Sequence, residues 1–174
     1  MAGEERVDYF LGLGSNLGRR AANLARARRL LERHGVEVLA ASSVYETEPA
    51  DYADQPWFLN QVLEVRSELG PAGLLRLAKS IEAEMKRRPA VPKGPRTIDI
   101  DILFAGGLVL ETPGLVIPHP RLERRNFVLV PLMEIAPRLR HPVSGRTIAE
   151  LAGESVDPGQ VKKRGGPRRG RAGA

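Results

Sequence analysis

From Gly94 the chain reads GPRTIDIDI, and the alternation Ile98-Asp99-Ile100-Asp101-Ile102 permits little other than a β-strand. Successive side chains of a strand leave on opposite faces, at about 3.3 Å per residue. Ile98, Ile100 and Ile102 therefore share one apolar face. Asp99 and Asp101 share the other, with Cα atoms roughly 6–7 Å apart. Two carboxylates side by side on a rigid element repel unless a cation or solvent intervenes, and as hard oxygen donors they suit Mg²⁺. Arg96, just upstream, adds a planar cation able to grip phosphate oxygens bidentately. This combination suits a metal–nucleotide complex; it also suits a half-exposed edge strand with a polar outer face.

At 174 residues the chain is long enough for one domain with a proper core. It contains no Cys, which excludes disulfides, thiolate chemistry and Cys-based zinc sites. MAGEERVDYF lacks a secretion-signal pattern, and no stretch approaches the ~20 apolar residues of a membrane span. A cytoplasmic protein is expected. The net charge of +6 is unevenly spread: residues 157–174 hold six Lys or Arg against Asp157, a net +5, leaving +1 on residues 1–156. The expected division is a folded domain over 1–156 and a basic tail over 157–174, disordered because it has almost no apolar residues.

Val7–Leu13 reads as a strand running into Gly12-Leu13-Gly14-Ser15-Asn16. A helix over Arg19–His34 carries Leu24, Ala27, Leu30 and Leu31 as its apolar stripe, with Gly35 as its stop. Val36–Glu48 reads as one strand, 51–57 as a loop and Phe58–Leu69 as another strand. Pro71 opens a helix to about Arg87. A Pro-rich loop, 89–95, leads into the carboxylate strand through Phe104. Gly106-Gly107 signals a hairpin into Leu108-Val109-Leu110. Short helices are expected near Asn126–Ile135 and Thr147–Ala152. The fold class is α+β: a ferredoxin-like βαββαβ core with an additional C-terminal hairpin and short helices.

Other residues stand in patterns open to more than one use. Gly12, Gly14 and Gly18 permit close backbone approach at a strand-to-helix turn, or simply a tight turn. In Trp57-Phe58-Leu59-Asn60 an aromatic face for stacking adjoins an amide that donates and accepts at once, which fits a heterocycle edge; Phe58 fits a core position equally well. Glu82 and Lys86 match an i, i+4 pair on a solvated helix face. His119 is held between Pro118 and Pro120, and Arg124, Arg125 and Phe127 form a basic-aromatic cluster.

LGLGSNLG, SSVYETEP, DQPWFLNQV, GPRTIDIDILF and IPHPRLERRNFVLVPLMEIAP occur in that order over about residues 7–137. Together they resemble the 6-hydroxymethyl-7,8-dihydropterin pyrophosphokinase family of folate biosynthesis. The resemblance implies transfer of the β,γ-diphosphate of ATP to the pterin hydroxymethyl group, with AMP as coproduct. It implies that Asp99 and Asp101 hold two Mg²⁺, and that Arg87, Arg96, His119 and Arg125 contact phosphate oxygens. Phe58 and Phe127 would sandwich the pterin, with Thr47, Asn60 and the backbone near Ala50 reading its edge. Glu82 would stand near the nucleotide, and Ile102, Leu115 and Val116 would line the adenine pocket with Leu103. The partners expected are ATP and the pterin, with no membrane, no specific nucleic acid and a monomeric chain.

The chain departs from the family pattern in places. Lys86 stands where a small Gly precedes the arginine at 87, the following loop is about one residue short, and Pro89, Lys93 and Pro120 replace a second arginine and two aromatics. Pro89, Pro92 and Pro95 should stiffen that loop. Two alternatives to the transferase carry their own expectations. An RNA-binding ferredoxin-like module would use exposed aromatics and the basic tail, although paired aspartates repel phosphate and no RNP pattern is present. A nucleotide-binding relative without transferase activity would have lost residues among Arg96, Asp99, Asp101 and His119, all of which are intact.

Overall fold

The computed structural model describes residues 6–50, 54–86 and 95–164. Strand β1 (Val7–Ser15) lies at the middle of an antiparallel sheet, between β4 (Phe58–Ser67) and β5 (Asp99–Ala105). On the far side of β4, two short strands, β2 (Glu37–Ala41) and β3 (Val44–Thr47), pair with it in succession. The molecule is thus a mixed α/β fold built on one main antiparallel sheet, accompanied by a two-stranded hairpin of β6 (Leu110–Thr112) and β7 (Leu115–Ile117).

Two helices cover one face. α1 (Arg20–Arg33) buries Leu24, Ala27, Leu30 and Leu31 at the spacing of one helical stripe, and Gly35, at φ +82°, turns the chain away after it. α2 (Pro71–Met85) starts with Pro at its first position and buries Leu74, Ala78, Ile81 and Met85. These side chains form one core with Leu11, Leu13, Ile98, Ile100 and Ile102. The opposite face is covered by α3 (Asn126–Ile135) and α4 (Ile148–Glu154), which pack Leu129, Leu132 and Ile148 against Phe10, Val62, Leu103 and Phe104. Strict alternation would have sent Phe104 to the Ile102 side. Instead the ladder slips between Phe10 and Leu11, so that Phe10 opposes Phe104 and Leu11 opposes Ile102. The bulged Leu103 then shares a core with Phe104.

Several expectations are corrected here. The single strand over 36–48 is two strands, because Ser42 interrupts the ladder: its N–H donates to the Val62 carbonyl at 2.9 Å and its Oγ accepts from the Val62 N–H at 2.9 Å. Gly106-Gly107 ends β5 rather than pairing a strand back onto it. The hairpin turns at Pro113-Gly114, where Thr112 Oγ1 accepts the Leu115 N–H at 3.1 Å. Gly12 and Gly14 lie inside β1, and of the three only Gly18, at φ +72°, sits in the turn. The division at 157 also moves. Val161–Arg164 form β8, paired antiparallel to β3, because extended backbone there finds the open edge of β3 whatever its charge. Residues 165–174 of the expected tail, and 87–94 of the Pro-rich loop, lie outside the described residues.

Glu134 ties α3 to β3. Its carboxylate accepts the Ser43 N–H and Ser43 Oγ–H, each at 2.7 Å, and a short hydrogen bond from the Tyr45 hydroxyl. Burial pushes the Glu134 pKa up, but these donors and the nearby Lys163 ammonium outweigh it and hold it below the usual carboxylate range. A depressed native pKa adds stability that is present above the unfolded value and is lost as pH falls through the native one. Glu134→Gln should therefore flatten the acid limb of stability against pH. Tyr45→Phe should cost about 1–2 kcal/mol in urea unfolding at neutral pH, the scale for losing one hydrogen bond to a charged group.

Candidate active site

Between α3 and the end of the sheet lies a cleft of about 730 Å³, counting its open mouth. Its floor follows from strand register. Gly14 on β1 pairs with Asp99 on β5 and with Asn60 on β4, and Gly12 pairs with Asp101 and Val62. Strands lie ≈ 4.8 Å apart, so each row sets a carboxylate about 10 Å from a β4 residue, with a bare glycine between. A Cβ on Gly14 would stand 2.6 Å from Asn60 Oδ1, a separation that only glycine avoids.

One wall is anionic with cations set into it. Arg96 Nη1 donates to Asp99 Oδ2 at 2.6 Å. Asp101 opens to the cleft, yet the surrounding protein strips solvation from its carboxylate; that loss and then the charge of Asp99 raise its pKa, against the pull of His119, Arg125 and Lys79. Burial lowers the pKa of His119, Asp101 raises it, and the cations Arg125 and Arg121 add to the lowering. The His119 ring is oriented by the Arg121 N–H, which donates to Nδ1 at 3.3 Å, so the neutral ring carries its proton on Nε2. Glu82 is buried on α2; burial raises its pKa, Lys79 and Lys86 at 3.5 and 3.7 Å oppose this, and Asp99 and Asp101 add to the rise. The solvated i, i+4 helix face is thereby corrected: Glu82 points inward.

The other wall is aromatic and amide. Phe58 and Phe127 both line the cleft, each only partly buried, which removes the core alternative for Phe58. The Arg125 guanidinium lies 5.3 Å from the Phe127 ring centroid. Asn60 Nδ2 donates to Thr47 Oγ1 at 2.6 Å, which fixes the amide plane and turns Oδ1 toward Gly14. Thr47 and Ala50 line the cleft as well.

One residue to which the sequence assigns no role, Asn16, joins the walls. Buried Asn16 accepts the Arg96 N–H on Oδ1 at 2.7 Å and donates through Nδ2 to Gln55 Oε1 and the Pro56 carbonyl, both at 2.9 Å. One amide thus sets the approach to Asp99 and the approach to Phe58 together. Its signal was an Asn directly after a glycine-bearing strand. Other expected residues stand apart from the cleft lining, among them His119 and Glu82, which act on Asp101 and Asp99 through charge without reaching the cleft surface. Ile102 is in the helix-covered core, on the face opposite Asp101, and Leu115 and Val116 are half-buried on β7. Alternation explains Ile102: only Leu103 shares the side of Asp99 and Asp101. Arg87 lies outside the described residues.

These features define a cleft that sets charge for an anion beside flat rings for a heterocycle. A family model described as 7,8-dihydro-6-hydroxymethylpterin-pyrophosphokinase (HPPK) matches residues 10–137. The chain is 45% identical over 148 residues to the 2-amino-4-hydroxy-6-hydroxymethyldihydropteridine pyrophosphokinase of Bacillus subtilis, covering 84% of this chain and 87% of that one. It is 40% identical over 147 residues to the enzyme of that name from Aquifex aeolicus, covering 84% and 91%. It is also 42% identical to the folic acid synthesis protein fol1 of Pneumocystis carinii, but its match spans only 20% of that longer protein. Among solved structures, wild-type HPPK-DHPS of Plasmodium falciparum with STZ-DHP superposes with a TM-score of 0.70 at 20% identity, over 86% of this chain and 43% of that one. The chain belongs to the HPPK family.

Gly14→Ala should drive the Asn60 amide off Thr47. A crystal structure of the variant should show Asn60 in a different rotamer with its Thr47 hydrogen bond broken, and β1 otherwise in place.

Proposed function

We propose that the protein transfers the β,γ-diphosphate of ATP to the hydroxymethyl group of 6-hydroxymethyl-7,8-dihydropterin, releasing AMP. The observation that carries this reading is the pair of rows across β1: Asp99 and Asp101 on one side, Asn60 with Phe58 on the other, and bare glycine between. The bound pterin lies between Phe58 and Phe127, with Asn60, Thr47 and the backbone at Ala50 reading its polar edge. Its hydroxymethyl arm then points toward the carboxylates.

The carboxylate pair suits Mg²⁺. Its donors are hard oxygens, and Asp99 raises the pKa of Asp101, a repulsion that a divalent cation between them relieves. No three His, Cys, Asp or Glu side chains converge among the described residues, a donor set that fits Mg²⁺, which would take its remaining oxygens from phosphate and water. Asp99 and Asp101 are the residues that would hold two Mg²⁺, which would supply charge neutralisation for the triphosphate and acidify the attacking hydroxyl.

The chain's own side chains then do the positioning. Arg96, Arg125, His119 and Arg87 hold phosphate oxygens, so the hydroxymethyl oxygen meets the β-phosphorus in line and AMP leaves on the opposite side. Glu82 adds negative potential beneath the carboxylate pair. The adenine sits beside β7, against Leu115 and Val116, with Ile102 behind them. On this reading no side chain has to act as general base.

The sheet order β5-β1-β4, continued by β2 and β3, supports a ferredoxin-like split βαβ as the core. Within the same reading the enzyme is a cytoplasmic monomer; no helix among the described residues is long and apolar enough to cross a membrane. The RNA-binding alternative is disfavoured by the carboxylates themselves, which line the cleft beside the exposed aromatics.

Incubation with Mg²⁺, ATP and the hydroxymethyl dihydropterin should yield AMP and the pterin diphosphate in equal amounts. ADP as the stoichiometric product would contradict the reading. Asp99→Ala and Asp101→Ala should each keep the far-UV circular dichroism of the parent and lose at least about a hundredfold in turnover, the scale for removing a main stabiliser of transition-state charge. Near-parental turnover in either variant would reduce the pair to a polar strand face.

A further inference from the structure

Helix α3 begins at Asn126, between the two residues it offers to the cleft, Arg125 and Phe127. Its own N-cap residue, Arg125, makes no side-chain cap hydrogen bond. The cap arrives from far along the chain instead. The Asn126 N–H donates to Asp157 Oδ2 at 2.9 Å, and Asn126 Nδ2 donates to the Asp157 carbonyl at 3.2 Å. A carboxylate there satisfies an orphan amide and lies at the positive end of the helix dipole.

Asp157 is itself held in place. Its Oδ1 accepts the Gly159 N–H at 2.9 Å, and its own N–H donates to Ser155 Oγ at 3.3 Å. Beyond it, Gln160 and Glu48 exchange two hydrogen bonds of 3.2 Å. β8 then pairs with β3, setting Val161 opposite Thr47, and Lys162 Nζ lies 5.4 Å from the Trp57 ring centroid. The segment 157–162 therefore touches each piece of chain that builds the aromatic wall: the start of α3, the end of β3 and the residue before Phe58. Asp157 does not line that cleft itself but the pocket adjoining it, which it shares with Thr47, Ala50, Arg125 and Phe127.

We infer that Asp157 is a positioning residue for the aromatic wall, fixing the first turn of α3 so that Phe127 and Arg125 hold their places in the cleft. The identity of the flat ligand as a pterin rests on the proposed function; the positioning of α3 does not. The carboxylates of β5 are held outside this segment, by the ladder to β1 and by Arg96, so loss of Asp157 should weigh mainly on the flat ligand and reach the nucleotide only through Arg125.

The test compares Asp157→Ala and Asp157→Asn with the parent, using fluorescence titration of the hydroxymethyl dihydropterin, titration of a non-hydrolysable Mg-ATP analogue, steady-state kinetics and amide hydrogen exchange. Asp157→Ala should weaken pterin binding and raise its KM about tenfold, the effect expected of a lost helix cap. The nucleotide affinity and kcat should stay within about threefold on the same scale. Exchange at the Asn126 and Phe127 amides should accelerate about tenfold in the free protein. Asp157→Asn keeps an acceptor for the Asn126 N–H and should recover most of the pterin affinity. Unchanged exchange at Asn126 overturns the inference, as does pterin affinity equal to the parent's or equal losses for both ligands. If Asp157→Ala fails to fold, the parent chain decides: an Asn126 amide that exchanges as fast as an unprotected one overturns the inference. A parent chain that binds no pterin contradicts the proposed function instead, and the exchange measurement then decides the inference alone.

Discussion

A strip of bare backbone through the centre of the sheet governs this molecule. Gly12 and Gly14 lie on β1, between the carboxylates of β5 and the side chains of β4. Glycine inside a strand gives up side-chain packing and costs conformational entropy. Here that cost is offset by ladders on both sides, since β1 is paired to β4 along its whole length and to β5 over most of it. A side chain at either position would fill the floor of the cleft. The strip also explains why the site lies on the α3 face: on the other side, Leu11, Leu13, Ile98, Ile100 and Ile102 close the sheet against α1 and α2.

Charge is crowded on one side of this strip. Asp99 raises the proton affinity of Asp101, both raise that of buried Glu82, and among the described residues Arg96 is ion-paired directly to Asp99. A protein holding that much like charge must surround it with rigid structure, because the repulsion would otherwise splay the strands apart. The ladder to β1 and the Asn16 amide supply that rigidity. Asn16 does so with short hydrogen bonds to both neighbouring segments, so the anionic and aromatic walls keep one spacing relative to each other.

Most of this was readable from residue order where side-chain period and burial agree. The Ile98–Ile102 alternation located β5 and its two faces, and the stripes of α1 and α2 located the helices that cover the core. Legibility failed where one polar side chain replaces a backbone partner. Ser42 breaks what hydropathy presents as one strand over 36–48, because its hydroxyl accepts the N–H of Val62 in place of the ladder. It failed again at Leu103 and Phe104, where a register slip cancels the period of two. At the site, Asp99, Asp101, Phe58 and Phe127 were legible as residue types suited to ions and rings. Asn16 and Asp157 were not, since each acts through hydrogen bonds to residues distant in sequence. Composition misled over 157–164: the segment is basic and poor in apolar residues, yet backbone pairing with β3 gives it structure.

That last strand has a further bearing on how the molecule behaves in company. β8 stands at the end of the sheet order, and an outermost strand presents unpaired backbone groups to any extended chain that drifts past. Here Lys162, Lys163 and Arg164 are consecutive on it and exposed. A second copy aligning there would bring two such triplets together across a strand spacing of ≈ 4.8 Å, where like charges directly opposed are destabilising. The strand that extends the sheet by one therefore also sets like charge against its extension by another.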